Sequence, residues 1–150
     1  MSILQKGAAA PDFTLSDQNG QTVTLSELRG KTVLLSWHPL AWTSVCLDQM
    51  RALEVHAQDF ADHNAVALGL SVDAQPAKSA WAKFACLEQT RVLADFHPVG
   101  AVARAYGIFI DETGFSQRAC VLVDENGRVA WSKQYELSQL PDIQEILAQL

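Results

Sequence analysis

The residues of this chain best suited to chemistry are concentrated in Pro39-Leu40-Ala41-Trp42-Thr43-Ser44-Val45-Cys46. A cysteine attacks or binds only as its thiolate, so the question is what would ionise Cys46. Leu47, Met50, Leu53, Ala57 and Phe60 recur every three or four residues, which predicts one helix of four or five turns directly after the stretch. Thr43 or Ser44 is the natural N-cap, placing Cys46 in the first turn among unpaired N–H groups. A free thiol of pKa ~8.5 is only a few per cent ionised at pH 7, and lowering it to ~6 takes about 3–4 kcal/mol. A helix terminus supplies roughly 0.3–1 kcal/mol, up to ~2 kcal/mol when partly buried. The dipole falls short, whereas a cation ~4 Å away at an effective dielectric of ~20 contributes up to ~4 kcal/mol. A basic residue aimed at Cys46 from another element is therefore expected.

The elements that must hold these residues follow from periodicity and punctuation. Residues 12–15 and 21–25 read as an N-terminal hairpin turned at Asn19-Gly20, and Ser26 reads as the cap of a short helical turn ended by Gly30. Thr32 to Trp37 is a buried strand stopped by Pro39, and Ala65 to Val72 a second one. Pro76 suits the first position of a helix running to about Cys86, and a further helix spans about Val99 to Tyr106. Ala119 to Val123, a turn at 124–127 and Arg128 to Ser132 form a second hairpin, before a helix opened by Pro141 with Ile143, Ile146, Leu147 and Leu150 on one face. The order predicts an α/β fold with a central mixed β-sheet flanked by helices, parallel across the first crossover. The chemical stretch then sits outside the carboxyl end of a strand, where α/β sheets hold ligands.

Composition bounds the function. The chain has 150 residues, 49% hydrophobic and 19% charged, and reads as a single domain over 1–150. Eleven Lys+Arg against 17 Asp+Glu give a net charge of −6, which argues against nucleic acid or an anionic membrane surface as partner. No apolar run approaches the ~20 residues of a bilayer span, and no basic-then-apolar opening marks a secretory signal. Three widely spaced cysteines, Cys46, Cys86 and Cys120, are neither a disulfide framework nor a zinc set, so a cytoplasmic protein with a free thiol is expected. The four histidines show no metal-binding spacing.

Pro39-x-x-x-Thr43-x-x-Cys46 resembles the P-x-x-x-T-x-x-C motif of peroxiredoxins. Ala10-Pro11-Asp12-Phe13-Thr14-Leu15, Leu28-Arg29-Gly30-Lys31 and Arg118-Ala119-Cys120-Val121-Leu122-Val123-Asp124 are familiar from the same family and occur in its order. Asp95-Phe96-His97-Pro98 and Val102-Ala103-Arg104-Ala105-Tyr106-Gly107 look most like the alkyl hydroperoxide reductase E-type branch, close to the bacterioferritin-comigratory type. The resemblance runs from about residue 3 to about residue 135 and implies a thioredoxin-like fold and a thiol peroxidase. Cys46 would be the peroxidatic cysteine, cycling through a sulfenic acid. Thr43 would set its hydroxyl against the sulfur and the peroxide, Pro39 would shield the sulfur, and the N–H groups of Val45 and Cys46 would line the peroxide site. Arg118 would be the required cation.

The resemblance implies no cofactor, and as partners a peroxide and a thiol reductant, whether thioredoxin, glutaredoxin or a small thiol. A homodimer built on apolar residues near the site is left open. Gln49 stands where relatives often carry Glu; it can accept a bond from Arg118 without neutralising it, so the cation should act more fully on Cys46. His38 is also unusual, and either adds charge beside the thiolate or merely ends the strand. With no cysteine at Arg51 or in a C-terminal extension, a one-cysteine cycle is expected, Cys86 being the alternative resolving thiol. The rival readings are a thiol–disulfide oxidoreductase, disfavoured by the lack of a C-x-x-C partner, and a non-enzymatic redox sensor.

Overall fold

The computed structural model describes residues 2–150. Strands β1 (Thr14–Ser16) and β2 (Thr22–Thr24) pair antiparallel as the N-terminal hairpin. Its turn is longer than a two-residue Asn-Gly turn: Gly20 alone takes a positive φ, and the Asp17 carboxylate accepts the N–H groups of Asn19 and Gln21. The short 3-10 turn spans Leu25–Leu28, so Ser26 lies inside it and Thr24 holds the N-cap position without a side-chain cap bond; Asp12 Oδ1 accepts the Ser26 N–H at 2.8 Å instead.

Next come β3 (Thr32–Trp37), α1 (Ser44–Val55), α2 (Ala57–Asp62) and β4 (Ala65–Ser71). The single helix expected from the apolar spacing is broken at His56, which leaves helical geometry at φ −100° and ψ 16°. Its ring bonds the Asp59 carboxylate at 2.7 Å across the start of α2, while Leu53 and Phe60 stay buried on either side of the break. The rest comprises α3 (Gln75–Ala85), β5 (Arg91–Ala94), α4 (Ala101–Ala105), the small hairpin β6 (Phe109–Ile110) and β7 (Phe115–Ser116), β8 (Arg118–Val123), β9 (Val129–Tyr135) and α5 (Ile143–Leu147). β5 and the strands of the small hairpin, of four, two and two residues, are too short to show a period in the sequence. Among the described residues no helix is long and apolar enough to cross a membrane.

Seven strands form a mixed sheet in the order β2-β1-β5-β4-β3-β8-β9, parallel at β5-β4-β3 and antiparallel elsewhere. This is the expected thioredoxin-like arrangement, with parallel pairing across the first crossover. Alternation along each strand splits the core in two. Val33, Leu35 and Trp37 of β3 join Leu68, Leu70, Leu93 and Tyr106 on one face. Leu34 joins Cys46, Met50, Leu53, Trp81 and Cys120 on the other, beneath α1 and α3. β3 and β8 run antiparallel with Trp37 opposite Ala119, so the end of β3 and the start of β8 meet at one edge of the molecule. That register brings Arg118 to the helix that begins at Ser44.

Gly69 lets α1 lie close on the sheet. A Cβ there would run into Met50 Sδ and crowd Val92 at 3.0 Å and the His38 ring at 3.3 Å. Gly69→Ala should therefore lower stability by about 1–3 kcal/mol through overpacking, measured by chemical denaturation. An unchanged unfolding midpoint would show that Met50 swings aside freely.

Candidate active site

The loop from Pro39 to Thr43 carries the chain from β3 into α1 and is held at three points. The Ala41 N–H donates to Asp73 Oδ2 at 2.8 Å, and the Thr43 hydroxyl donates to the Leu40 carbonyl at 2.8 Å. Trp42 sits in the left-handed region at φ 69°, a conformation that costs a residue with a side chain roughly 1–2 kcal/mol. Its ring is exposed and packs on Phe84 of α3 with centroids 5.4 Å apart. Thr43 is the N-cap residue as expected, yet its side chain makes no cap bond because it is committed to Leu40.

The first helical N–H to find an acceptor along the chain is that of Leu47, on the Thr43 carbonyl at 3.0 Å. The N–H groups of Ser44, Val45 and Cys46 thus belong to the unpaired first turn, as the sequence requires. Cys46 has no exposed surface of its own but borders an open, mostly apolar cavity of about 250 Å³ walled by Pro39, Thr43, Val45, Phe115, Arg118 and Leu137. Pro39, Thr43, Val45, Cys46 and Arg118, five candidates from the sequence, meet there; Gln49 lies behind.

Arg118 supplies the expected cation. Its Nη1 donates to Cys46 Sγ at 3.3 Å and to Gln49 Oε1 at 2.7 Å. Nε and Nη2 donate to the Leu137 carbonyl at 3.0 and 2.7 Å. A planar fork fixed at both ends cannot rotate away from the sulfur, which a lysine could not reproduce. Gln49 is held in turn, its amide nitrogen donating to Ser36 Oγ at 2.7 Å and to the Trp37 carbonyl at 3.1 Å. Those two donations fix which end of the amide faces Arg118.

Ser36 lies opposite Cys120 in the sheet and its hydroxyl is 3.6 Å from that sulfur. Burial pushes the Cys120 thiol up to about 12, so it stays protonated. Cys86 is elsewhere: exposed, in left-handed conformation at the C-cap of α3, beside a separate cavity bordered by Gln18 and Glu88. The structure does not bring it to the cavity of Cys46. His38 does not add charge near the sulfur. Burial, then the charge of Lys78, holds its pKa well below the usual histidine range, so the ring is neutral.

Sequence reasoning missed Ser36, Leu137 and Lys78. Ser36 was visible as the lone polar residue within Val33-Leu34-Leu35-Ser36-Trp37. Leu137 acts through its carbonyl, which no side-chain pattern reports.

The sequence model of the AhpC/TSA family matches residues 6–132. Alkyl hydroperoxide reductase E of Mycobacterium tuberculosis (strain ATCC 25618 / H37Rv) is 38% identical over 141 residues, covering 93% of this chain and 92% of that protein. Peroxiredoxin 2 of Thermoplasma acidophilum is 34% identical over 146 residues, covering 94% of this chain and 72% of its own length. Among solved structures, reduced Plasmodium vivax 2-Cys peroxiredoxin superposes with a TM-score of 0.86 at 30% identity, covering 96% of this chain and 79% of that one.

The amide of Gln49 generates a prediction. A carboxylate in its place has no hydrogen for the Trp37 carbonyl and neutralises Arg118. Gln49→Glu should lose about 1–3 kcal/mol of stability and slow Cys46 alkylation by iodoacetamide at pH 6 by roughly tenfold. Alkylation as fast as in the parent would show that the charge at this position does not reach the sulfur.

Proposed function

Since the chain belongs to the AhpC/TSA family and is a thiol-dependent peroxidase, we propose that Cys46 is its attacking group and that Arg118, Thr43, Pro39 and the first-turn N–H groups build the peroxide site around it. The observation that carries the assignment is the single guanidinium nitrogen shared between Cys46 Sγ and Gln49 Oε1 at the wall of an open cavity. Cys46 attacks as the thiolate, since only that form is nucleophilic. It strikes the terminal oxygen of a hydroperoxide, an S–O bond forms as the O–O bond breaks, and the sulfur becomes a sulfenic acid. The departing oxygen takes a proton from water and leaves as an alcohol, or as water when the substrate is hydrogen peroxide. The sulfur has lost two electrons and the peroxide has gained them. Arg118 and the N–H groups of Val45 and Cys46 oppose the negative charge that moves onto the leaving oxygen. The mostly apolar walls of the cavity suit organic hydroperoxides as well as hydrogen peroxide.

Return to the thiol needs two reducing equivalents. A first thiol condenses with the sulfenic acid, releasing water and leaving a mixed disulfide; a second thiol displaces Cys46 and leaves as part of a disulfide. Cys46 and Cys86 border different cavities, and Cys120 is buried and protonated, so these thiols come from outside: thioredoxin, glutaredoxin or a small thiol. The chain reads as one thioredoxin-like domain, acting in the cytoplasm.

Intact mass after one equivalent of hydrogen peroxide, with Cys46→Ser alongside, tests the reading. Prompt gain of one oxygen by the parent and none by the variant is expected. A loss of two hydrogens would instead mean an internal bridge, and Cys86→Ser would then restore the added oxygen. Oxidation no faster than free cysteine would leave Cys46 a buried thiol and the chain a binding or sensing protein.

A further inference from the structure

Lys78 has no exposed surface and plays no part in the steps above. It lies in the buried stripe of α3 with Trp81, Ala82 and Ala85, where an apolar residue belongs. A buried ammonium persists only where it is given partners. Here Nζ donates to Ser71 Oγ at 2.6 Å and is 2.8 Å from Nε2 of His38, itself without exposed surface and stacked on Trp81 at 5.1 Å. While Lys78 is protonated the neutral ring accepts at Nε2, which puts its proton on Nδ1, a buried atom with no hydrogen-bond partner. The Ser71 hydroxyl donates to Asp73 Oδ2 at 2.6 Å, and that same oxygen accepts the Ala41 N–H at 2.8 Å. An unbroken hydrogen-bonded path therefore runs from a buried cation on α3 to the backbone of the loop that precedes Cys46. The charged and titratable groups facing this cluster are His38 after β3, Asp73 after β4, Cys46 on α1 and Arg118 on β8.

We propose that Lys78 is a positioning residue: its ammonium, through Ser71 and Asp73, steadies the loop from Pro39 to Thr43 over Cys46, so that losing its charge slows peroxide reduction. Burial pulls Lys78 down to about 7, against the charges of Asp73 and Cys46, which hold it up. The charge that strengthens these bonds is present below that value and lost as pH rises through it, while the bonds themselves can still be made by the neutral amine. The inference rests on Cys46 being the attacking group.

The test is the rate at which the protein gains oxygen from hydrogen peroxide, read by intact mass from pH 5.5 to 9, in the parent, Lys78→Met and Cys46→Ser. The parent should exceed Lys78→Met by about fivefold or more at pH 6, and the ratio should fall towards one by pH 9, because the effect depends on the charge of the amine. A ratio that stays constant with pH would make Lys78 a packing residue and overturn the proposal. Carbon-13 signals of the lysines in the parent provide a check that needs no variant at position 78. One lysine should titrate near neutrality and shift in Cys46→Ser; all titrating together in the ordinary alkaline range would overturn the proposal. Oxidation in Cys46→Ser as fast as in the parent would overturn the reading of Cys46, and this proposal with it.

Discussion

The buried guanidinium of Arg118 is the constraint around which the site is arranged. A permanent charge taken out of water must have every hydrogen directed at an acceptor, or its desolvation is uncompensated. The chain meets that demand for four of the five hydrogens, from three directions: the Leu137 carbonyl, which takes two, the Gln49 amide oxygen and the Cys46 sulfur. Each acceptor then needs its own support. Gln49 is steadied by Ser36 and the Trp37 carbonyl, so the requirement of one side chain passes into the central strand. The sulfur is the weakest acceptor of the set, and negative charge on it improves its bond to the guanidinium. Satisfying the arginine and favouring the thiolate are thus one interaction seen from its two ends.

The sheet makes this possible by sacrificing part of one apolar face. Along β3 and just beyond it, Leu34, Ser36 and His38 follow one another beneath α1 and α3; along β8, Arg118, Cys120 and Leu122 do the same. The polar members lie towards the end of the face nearest the start of α1, and the hydrophobic ones at the far end. The strand-to-helix junction therefore stands over a graded surface, oily beneath the body of the helix and polar beneath its first turn.

Much of this was readable from residue types. The strand before Pro39, the helix after Thr43 and the position of Cys46 in its first turn came from period and capping signals, because those are local. The need for a cation came from magnitudes, and the resemblance pointed to Arg118. What stayed hidden depends on geometry between distant segments. Ser36 and Cys120 face each other only through the β3–β8 register. Leu137 contributes a carbonyl, which every residue has. Lys78 was written into the pattern more plainly, at the spacing of Trp81, Ala82 and Ala85, but a lysine on an apolar stripe carries no meaning until His38 and Ser71 are seen beside it. The break at His56 escaped because apolar spacing continues across it.

Trp42 has a further consequence. A bulky residue held at φ 69° stores energy in the native loop, and the same residue leaves its ring outside the core, against Phe84. Beneath it, β3 is paired along its length on both sides, with β4 and with β8. Local opening in a folded protein follows the segments with the least to lose. In this molecule the strain sits in the loop covering the sulfur, which lacks the ladder bonds of the strands beneath it, so its amides other than the bonded Ala41 N–H should exchange faster than those strands. Strain released on opening that loop is thus separate from the pairing that holds the sheet.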